Sequence, residues 1–254
     1  MQKLVSIITV VFNGESVLEK TIQSIINKKT EWIEYVVLDG ASTDKTLEII
    51  KCYASDIDVF KSENDNGIYD AMNKAVSLAS GKYVLFLNAG DTLQYNFNDI
   101  LIFKNDFSFI YGNVSLINPK GDFLYTIKSP ILNLESFFSK MPICHQTIFY
   151  NAKYLKPYNL NYKIIADRVE TFRLFQINSN VKYIDEIIAE YPIGGENHKQ
   201  YGRHMEEERN FLASLFKQKY LSYYQYQKLV LITKLKNALF NTPIVGFYRW
   251  FKYR

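Results

Sequence analysis

The stretch GKYVLFLNAGDTL, Gly81–Leu93, joins an apolar run to an abrupt polar ending. The run stops at Leu87, and the four residues NAGD that follow end on Asp91. Asn, Gly and Asp are common in turns, so the simplest interpretation is a chain reversal. The alternative is that a buried strand ends here in order to present a carboxylate to a ligand. The surrounding sequence has to decide between these two interpretations.

The N-terminal part of the chain alternates apolar runs with helical patterns. The runs predict strands at 4–12, 33–39, 57–62 and 82–88, the first of them rich in β-branched residues and buried on both faces. Helical spacing of apolar residues separates them, over 15–27, 44–54 and 67–80. Because strands separated by helices form right-handed βαβ units, the sequence predicts an α/β fold with a mostly parallel sheet.

Beyond Asp91 this alternation stops. The pattern predicts a β-hairpin over 107–128, a strand at 145–151, a helix over 162–178 and an extended segment at 181–193. Two further helices are predicted at about 199–218 and 221–239.

The net charge of +4 over 254 residues conceals an asymmetry. Residues 1–198 carry 19 basic and 23 acidic side chains, whereas residues 199–254 carry 11 basic and 3 acidic ones and end in an aromatic, basic segment. Basic amphipathic segments with aromatic residues lie on anionic membranes, which favours a membrane surface as a partner. The alternative is a helical pair that packs on the domain or forms a homodimer. Nothing in this segment forms a nucleic-acid recognition module, so no nucleic-acid partner is expected.

Acids and amides follow all four predicted N-terminal strands. In an open parallel sheet, ligands bind outside the carboxyl ends of the strands. Carboxylates and amides there suit ribose hydroxyls, base edges and a divalent cation such as Mg²⁺ or Mn²⁺. The absence of G-x-G-x-x-G after the first strand disfavours a dinucleotide fold, and the absence of G-x-x-x-x-G-K-[ST] excludes a P-loop.

Three segments resemble, in order, the GT-A glycosyltransferases of family 2: SIITVVFNGESVLEKTIQSI, YVVLDGASTDKTLEII and SENDNGIYDAMNKAVSLASGKYVLFLNAGD. The resemblance is dense over 4–95 and thin to about 195. It implies a GT-A fold: an α/β, Rossmann-like sheet with a smaller acceptor-side region and C-terminal helices. It also implies inverting transfer of a sugar from a UDP-sugar donor. Subtypes with GIYDAMNK and FLNAGD resemble enzymes that build bacterial surface polysaccharide, such as O-antigen or capsule, on undecaprenyl-diphosphate carriers.

The same resemblance implies a domain division. Residues 1–198 would form the transferase domain, with 1–95 binding the nucleotide sugar and 96–198 binding a lipid-linked saccharide acceptor. Residues 199–254 would associate with the membrane. The protein is then expected to be cytoplasmic and peripheral on the inner face of the bacterial plasma membrane. Two cysteines far apart in sequence fit a reducing compartment.

Site residues are carried over from the family position by position. The nucleotide-sugar contacts would be Thr9, Phe12, Asn13, Glu15, Asp39, Asp65, Asn66, Gly67, Asn88, Ala89 and Gly90. In the family a D-x-D-like motif follows the fourth strand; here Asn88 takes the place of its first acid and Gly90 that of the metal-binding acid. Asp91 is therefore predicted to bind Mn²⁺ or Mg²⁺. His198 is predicted as a second metal ligand, with a solvated loop as the alternative.

The resemblance also places an acid at the start of a helix in the acceptor half, as the base that takes the acceptor proton. Asp167 is the predicted base, with Glu170 one turn later. The alternative for Asp167 is a surface ion pair with Arg168. His145 and Gln146 are predicted to bind the acceptor, with a polar strand start as the alternative.

Two other functions compete with this interpretation. A sugar-nucleotide pyrophosphorylase would need a glycine-rich basic loop after the first strand, and FNGES is acidic. A catalytically inactive, membrane-bound module that binds nucleotide sugar stays open because Gly90 departs from the D-x-D pattern.

Overall fold

The computed structural model describes residues 2–118, 121–193 and 201–240. The chain divides into two compact units. The first comprises Met1–Phe137 and Met141–Ile193, and the second comprises Phe138–Lys140 and Gly194–Arg254. The predicted boundary at 198/199 falls in 194–200, outside the described residues, so the predicted domain division stays a prediction.

The first unit begins with the predicted parallel strands. These are β1 (Val5–Val11), β2 (Ile33–Asp39), β3 (Val59–Ser62) and β4 (Tyr83–Phe86), in the spatial order β3-β2-β1-β4. They alternate with α1 (Leu18–Ile26), α2 (Thr46–Cys52) and α3 (Ile68–Val76). Every residue of β1, β2 and β4 is buried, whereas β3 lies at the edge and is largely exposed. The predicted α/β class and the parallel pairing of these strands are confirmed.

The second half of the sheet mixes parallel and antiparallel strands. It contains β5 (Thr92–Leu93), β6 (Phe109–Ile117), β7 (Phe123–Ile127), β8 (Ile148–Asn151) and β9 (Lys182–Pro192), with α4 (Ala166–Ile177) between β8 and β9. The order continues from β4 through β8, β6 and β9 to β5, and β7 pairs with β6. Only β6 and β9 pair in parallel among these described strands. The predicted hairpin is β6–β7, whose turn at 119–120 lies outside the described residues.

Gly81 shows how the opening stretch reaches its place in the sheet. A Cβ at this position would lie 2.5 Å from the backbone nitrogen of Ser6, so only glycine lets the start of β4 approach β1 this closely. The Gly81 amide donates to Ser6 Oγ at 2.8 Å. From there β4 runs beside β1 and delivers residues 88–91 to the edge where β1 and β2 also end.

The second unit contains the two predicted helices, α5 (Tyr201–Lys217) and α6 (Tyr223–Phe240). Phe216 and Tyr226 stack between them, with ring centroids 4.9 Å apart. None of the helices in the described part of the chain is long and apolar enough to cross a membrane.

Candidate active site

The loops after β1 and β2 brace one another. Asn13 has a left-handed backbone (φ 50°), and its amide donates to Ser42 Oγ at 2.8 Å while its Oδ1 accepts from the Thr43 amide at 2.9 Å. Glu15 Oε2 accepts from the Lys45 amide at 3.0 Å. Both side chains therefore hold the shape of the strand-end surface. Their predicted contact with a nucleotide stays a prediction.

Thr9 and Phe12 face opposite environments. Thr9 is fully buried; its hydroxyl donates to the Leu87 carbonyl at 2.8 Å, and the Tyr35 hydroxyl lies 3.2 Å away. The Thr9 side chain therefore points into the core and joins β1 to the end of β4, and the predicted place of Thr9 at the edge of the nucleotide stays a prediction. Phe12 follows the last residue of β1 and is 62% exposed, so its ring is available to a base.

Asp39 lies behind the strand-end surface rather than on it. Its side chain has no exposed area, and Oδ2 accepts from Ser62 Oγ at 2.6 Å and from the Ser42 amide at 3.1 Å. The carboxylate therefore binds the β2–α2 loop and the end of β3, and the predicted contact of Asp39 with uracil or ribose stays a prediction.

The Asp65 carboxylate lies close to Gly40 at the start of this loop. It is half-buried, and its Oδ1 accepts from the Gly67 amide at 2.7 Å. A Cβ on Gly40 would lie 2.5 Å from Asp65 Oδ2, so the carboxylate rests where any other residue at 40 would place its side chain. Sequence reasoning gave Gly40 no role; a glycine directly after a strand was the available signal.

Asn66 and Gly67 lie at the exposed entry to α3. The Asn66 backbone amide and Nδ2 both donate to Asp70 Oδ2, at 2.9 and 3.2 Å. Gly67 has φ +112° with nothing within 4 Å of a Cβ, so its backbone conformation rather than space favours glycine.

Residues 88–91 form a turn that also presents a carboxylate. The Asp91 amide donates to the Asn88 carbonyl at 3.0 Å, and Gly90 adopts φ +101°. Thr21 on α1 fixes this turn, because its Oγ1 accepts from the Gly90 amide at 2.9 Å and donates to the Asp91 carbonyl at 2.7 Å. Both interpretations of the opening stretch are therefore compatible: the chain reverses, and Asp91 is held rigidly at the reversal. Ala89 lies half-buried beside it.

The Asp91 carboxylate is buried and has no basic partner among the described residues. It is 7% exposed, and Oδ2 accepts one hydrogen bond from Gln146 Nε2 at 3.3 Å. Burial raises the pKa of Asp91 to about 7, against which Gln146 and the backbone act only weakly. In the same turn, Asn88 Oδ1 is buried and has no hydrogen-bond partner among the described residues. Within the described part of the chain, the Asn88 oxygen therefore lacks a donor and the Asp91 carboxylate lacks a positive charge beside it.

A divalent cation suits these two oxygens. Mn²⁺ and Mg²⁺ take oxygen ligands, and a nearby cation would favour the ionised form of Asp91. Among the described residues, no group of three or more His, Cys, Asp or Glu could enclose a metal ion. A cation here would therefore take most of its ligands from a bound diphosphate, with Asp91 as the protein anchor. His198 lies outside the described residues.

Asp167 opens α4 beside a tyrosine from α3. Its Oδ1 lies 2.9 Å from the Tyr69 hydroxyl, which also lies 2.8 Å from the Ile164 carbonyl. Burial, and then the charge of Asp167, raise the pKa of Tyr69 well above its usual value, so the hydroxyl keeps its proton and donates. Sequence reasoning missed Tyr69, because nothing local connects residues 98 positions apart.

Glu170 and Arg168, the charged neighbours of Asp167 on α4, bind other groups. Glu170 is buried, pairs with Arg173 and accepts from the Lys156 amide at 2.7 Å. Arg168 is only 2% exposed and donates from Nε and Nη2 to the Phe137 carbonyl at 3.0 and 2.7 Å. The alternative of a surface ion pair between Asp167 and Arg168 is therefore wrong, because the guanidinium lies in the interior.

His145 and Gln146 form a 3-10 turn that precedes β8, so that strand starts three residues later than predicted. His145 is buried and stacked on Phe86, and Nδ1 lies 3.2 Å from the Tyr150 hydroxyl. Burial lowers the pKa of His145, which favours the neutral ring. Its Nε2 is buried and has no hydrogen-bond partner among the described residues. Acceptor binding by this residue stays a prediction.

Gln146 connects the acceptor half to Asp91. Its Nε2 donates to the Asp91 carboxylate, and its Oε1 accepts from the Cys144 thiol, whose sulfur lies 2.9 Å away. The pKa of Cys144 is raised to about 12, first by burial and also by the charges of Asp91 and Asp167. Both carboxylates thus act on one buried segment. The predicted acceptor contact of Gln146 stays a prediction, and its observed contact is with Asp91.

The candidate site thus contains two carboxylates, Asp91 and Asp167, which have different hydrogen-bond partners. Asp91, after a strand end, is the predicted cation ligand, and Asp167, at a helix start, accepts a hydrogen bond from the Tyr69 hydroxyl. The fold resembles solved GT-A structures. S. aureus TarS 1-349 in complex with UDP aligns with TM-score 0.64 at 18% identity, covering 94% of this chain and 72% of that one. The mannosyltransferase PcManGT from Pyrobaculum calidifontis, in complex with GDP-Man and Mn²⁺, aligns with TM-score 0.62 at 16% identity, covering 85% and 65%. The chain has the GT-A fold of a glycosyltransferase.

The family follows from the sequence comparison. Residues 6–176 match Glycosyl transferase family 2, and the chain belongs to this family of enzymes. A PGL/p-HBAD biosynthesis glycosyltransferase of Mycobacterium tuberculosis is 33% identical over 199 residues, which are 73% of this chain and 75% of that protein. The Escherichia coli protein WfgD, a UDP-Glc:alpha-D-GlcNAc-diphosphoundecaprenol beta-1,3-glucosyltransferase, is 32% identical over 119 residues, 45% of this chain and 47% of that one.

Proposed function

We propose that this enzyme transfers a hexose from a UDP-sugar, with inversion, to a saccharide carried on undecaprenyl diphosphate during bacterial surface polysaccharide synthesis. The observation that carries the proposal is the turn after β4, which holds the buried Asp91 carboxylate and an Asn88 Oδ1 that has no partner in the described part of the chain. Support for the donor comes from the UDP complex of TarS. Support for the acceptor comes from WfgD, whose name specifies a diphosphoundecaprenol-linked saccharide.

The donor half would hold the nucleotide at the strand ends. The exposed Phe12 ring would pack on the uracil, and the Asp65 carboxylate would accept hydrogen bonds from the nucleoside hydroxyls. Asp91 would hold Mn²⁺ or Mg²⁺ against the donor diphosphate. When bound, the cation neutralises the charge that builds on the leaving UDP.

The acceptor half would supply the base. Asp167 takes the proton of the acceptor hydroxyl as that oxygen attacks the anomeric carbon. The bond between the anomeric carbon and the donor phosphate oxygen breaks, and its electron pair leaves with UDP. Because attack and departure occur on opposite faces of the sugar in one displacement, the anomeric configuration inverts. Tyr69 holds the Asp167 carboxylate in a fixed orientation for this step.

The two competing functions have less support. Membership of family 2 favours transfer over nucleotide synthesis by a pyrophosphorylase. An inactive binding module would not need a base, yet Asp167 is half-buried and oriented by a tyrosine that is itself buried.

Donor binding is the experiment that tests the proposal. We expect UDP to bind the purified chain in the presence of Mn²⁺ and to lose at least about tenfold in affinity with EDTA, measured by isothermal calorimetry. UDP-glucose, UDP-galactose and UDP-N-acetylglucosamine should then be tried with an undecaprenyl-diphosphate-linked N-acetylglucosamine acceptor. UDP binding that is indifferent to the metal would contradict the role given to Asp91. No UDP binding at all would contradict the donor class.

We further propose that the second unit binds the anionic inner face of a bacterial plasma membrane. On α6, Tyr224, Lys228, Leu231 and Leu235 recur at helical spacing and are exposed, the three apolar residues by 77%, 57% and 54%. An apolar stripe that includes lysine suits the interface of an anionic bilayer. Residues 241–254 follow α6 in the sequence and include basic side chains, but they lie outside the described residues. A homodimer through α5 and α6 stays the alternative.

The double variant Lys228→Gln/Lys234→Gln is expected to bind vesicles of phosphatidylglycerol about 30-fold more weakly, since each basic residue contributes about 1 kcal/mol near such a surface. Sedimentation with vesicles measures this. Lys20→Gln/Lys51→Gln, which removes the same charge from α1 and α2, is the matched control and should bind normally. Removal of residues 241–254 should weaken binding further. Equal loss in the control pair would indicate general charge attraction, and a lipid-independent dimer would support the alternative.

A further inference from the structure

A second concave surface lies in the acceptor half, away from Asp91 and Asp167. It is a groove of about 610 Å³ between the start of β6, the end of α4 and the start of β9. Asp167 is in the first turn of α4 and Gln176, which lines the groove, is in its last turn. Nine residues of helix separate them by about 13 Å. The groove is therefore built from residues that the candidate active site does not use.

Aromatic rings form part of the groove and are fixed in place. Tyr111 and Tyr183 line it with ring centroids 5.5 Å apart at 43°. Their hydroxyls are already used: Tyr111 donates to the Pro130 carbonyl at 3.0 Å, and the Tyr183 hydroxyl lies 2.9 Å from Asp185 Oδ1. The two tyrosines therefore offer ring surface rather than free hydroxyl groups to a ligand.

Gln176 lines the same groove and carries an unsatisfied donor. Its Nε2 is buried and has no hydrogen-bond partner among the described residues. An unmade bond of this kind costs about 1–3 kcal/mol, so an oxygen acceptor from a ligand would be favoured there. Asn133 and Ser179 add neutral polar groups to the lining. An entirely apolar occupant would leave the Gln176 donor unpaired.

The uncharged lining of the groove disfavours phosphates and nucleotides as ligands. Among the described residues that line the groove there is no Asp, Glu, Lys, Arg or His. A phosphate or a nucleotide would therefore lose its hydration without gaining a counter-charge. Ring surface combined with neutral amides and a hydroxyl instead suits a ligand that has apolar faces and many hydroxyl groups.

We propose that this groove binds an uncharged saccharide, with sugar faces against Tyr111 and Tyr183 and a sugar oxygen accepting from Gln176. Given the proposed function, the ligand is a neutral segment of the glycan that the enzyme extends. Such a site would hold the acceptor chain at a distance from the bond being formed. It would therefore raise affinity for longer acceptors without touching the reacting atoms.

The test is binding to an array of neutral oligosaccharides of glucose, galactose, mannose, rhamnose and the N-acetylhexosamines, followed by calorimetry on the best binder. Gln176→Leu and Tyr183→Ala should each weaken this binding at least about tenfold. Tyr183→Phe keeps the ring and should bind normally, as should Tyr125→Ala, which removes an exposed tyrosine from β7 outside the groove. Thermal melting confirms that each variant is folded.

UDP binding with Mn²⁺ separates this proposal from the proposed function, since the groove variants should bind UDP as the unaltered chain does. Saccharide binding that survives both Gln176→Leu and Tyr183→Ala would overturn the assignment of this groove. So would an array on which no neutral saccharide binds, or uptake of a fluorescent fatty acid in the groove in place of any sugar.

Discussion

Asp91→Asn is expected to abolish Mn²⁺-dependent UDP binding and to lower transfer by about 10³-fold or more, without loss of folded protein. The amide has the size of the carboxylate and can keep its contact with Gln146, but it cannot supply the charge that anchors the cation. Loss of a preorganised electrostatic contact to the leaving group costs factors of about 10²–10³, and loss of the cation adds to this. Calorimetry with UDP and Mn²⁺ and a transfer assay measure the two effects.

The same variant is expected to be more stable than the unaltered protein in metal-free buffer. Burial raises the pKa of Asp91 from 3.8 to about 7. Between these values the folded state binds more protons than the unfolded state, so the free energy of unfolding falls as the pH rises through this window. This rise in the pKa of Asp91 lowers the free energy of unfolding by at most about 4 kcal/mol at pH 8. Asn removes this cost, so the melting temperatures should agree near pH 4, diverge between pH 4 and 7 and differ by a nearly constant amount above pH 7.

Mn²⁺ with UDP should reverse that order, because ligands that bind only the folded state stabilise it. The unaltered chain should gain melting temperature and Asp91→Asn should not. Asp99→Asn, on an exposed acid outside the site, is the matched control and should behave as the unaltered chain in every measurement. Retention of Mn²⁺-dependent UDP binding by Asp91→Asn would place the cation elsewhere.

Local patterns predicted the donor half well. The strand predicted at 33–39 matches β2 at Ile33–Asp39, because a strand buried on both faces must be a continuous apolar run bounded by polar residues. The same logic brought the strand ends together at one edge of the sheet. The two-residue strand β5 was not predicted, since two residues show no periodicity.

Contacts between segments far apart in the sequence could not be predicted from local patterns. Gln146 with Asp91 and Tyr69 with Asp167 depend on how β8 and α4 pack beside β4 and α3, and no local pattern fixes that packing. The direction of the Thr9 side chain could not be predicted for a related reason. Family resemblance carried the position over but not the direction of the side chain, and in this structure Thr9 points into the core. The same holds for the buried side chain of Asp39.

Asp167→Asn is expected to lower the rate of transfer by about 10²–10⁴-fold, the range that a general base contributes, while UDP affinity stays within about twofold. The amide preserves the size of the side chain and can still accept from the Tyr69 hydroxyl, but it cannot take a proton. Measurement of kcat and of UDP binding by calorimetry on the same preparation separates chemistry from donor binding. A parallel fall in both would mean that Asp167 supports the fold of the site rather than the reaction.

Two further variants distinguish a base from a structural acid. Tyr69→Phe removes the hydroxyl that holds Asp167 Oδ1 and should lower kcat by about tenfold with little effect on UDP affinity, because the base remains but its orientation is lost. Glu170→Gln breaks a buried ion pair with Arg173 one turn away, so it should lower the melting temperature far more than Asp167→Asn does. If Glu170→Gln instead abolished transfer in a protein that melts normally, the base would be Glu170. The contacts observed here argue against that outcome, because both Glu170 carboxylate oxygens already accept hydrogen bonds and its side chain is nearly closed to solvent.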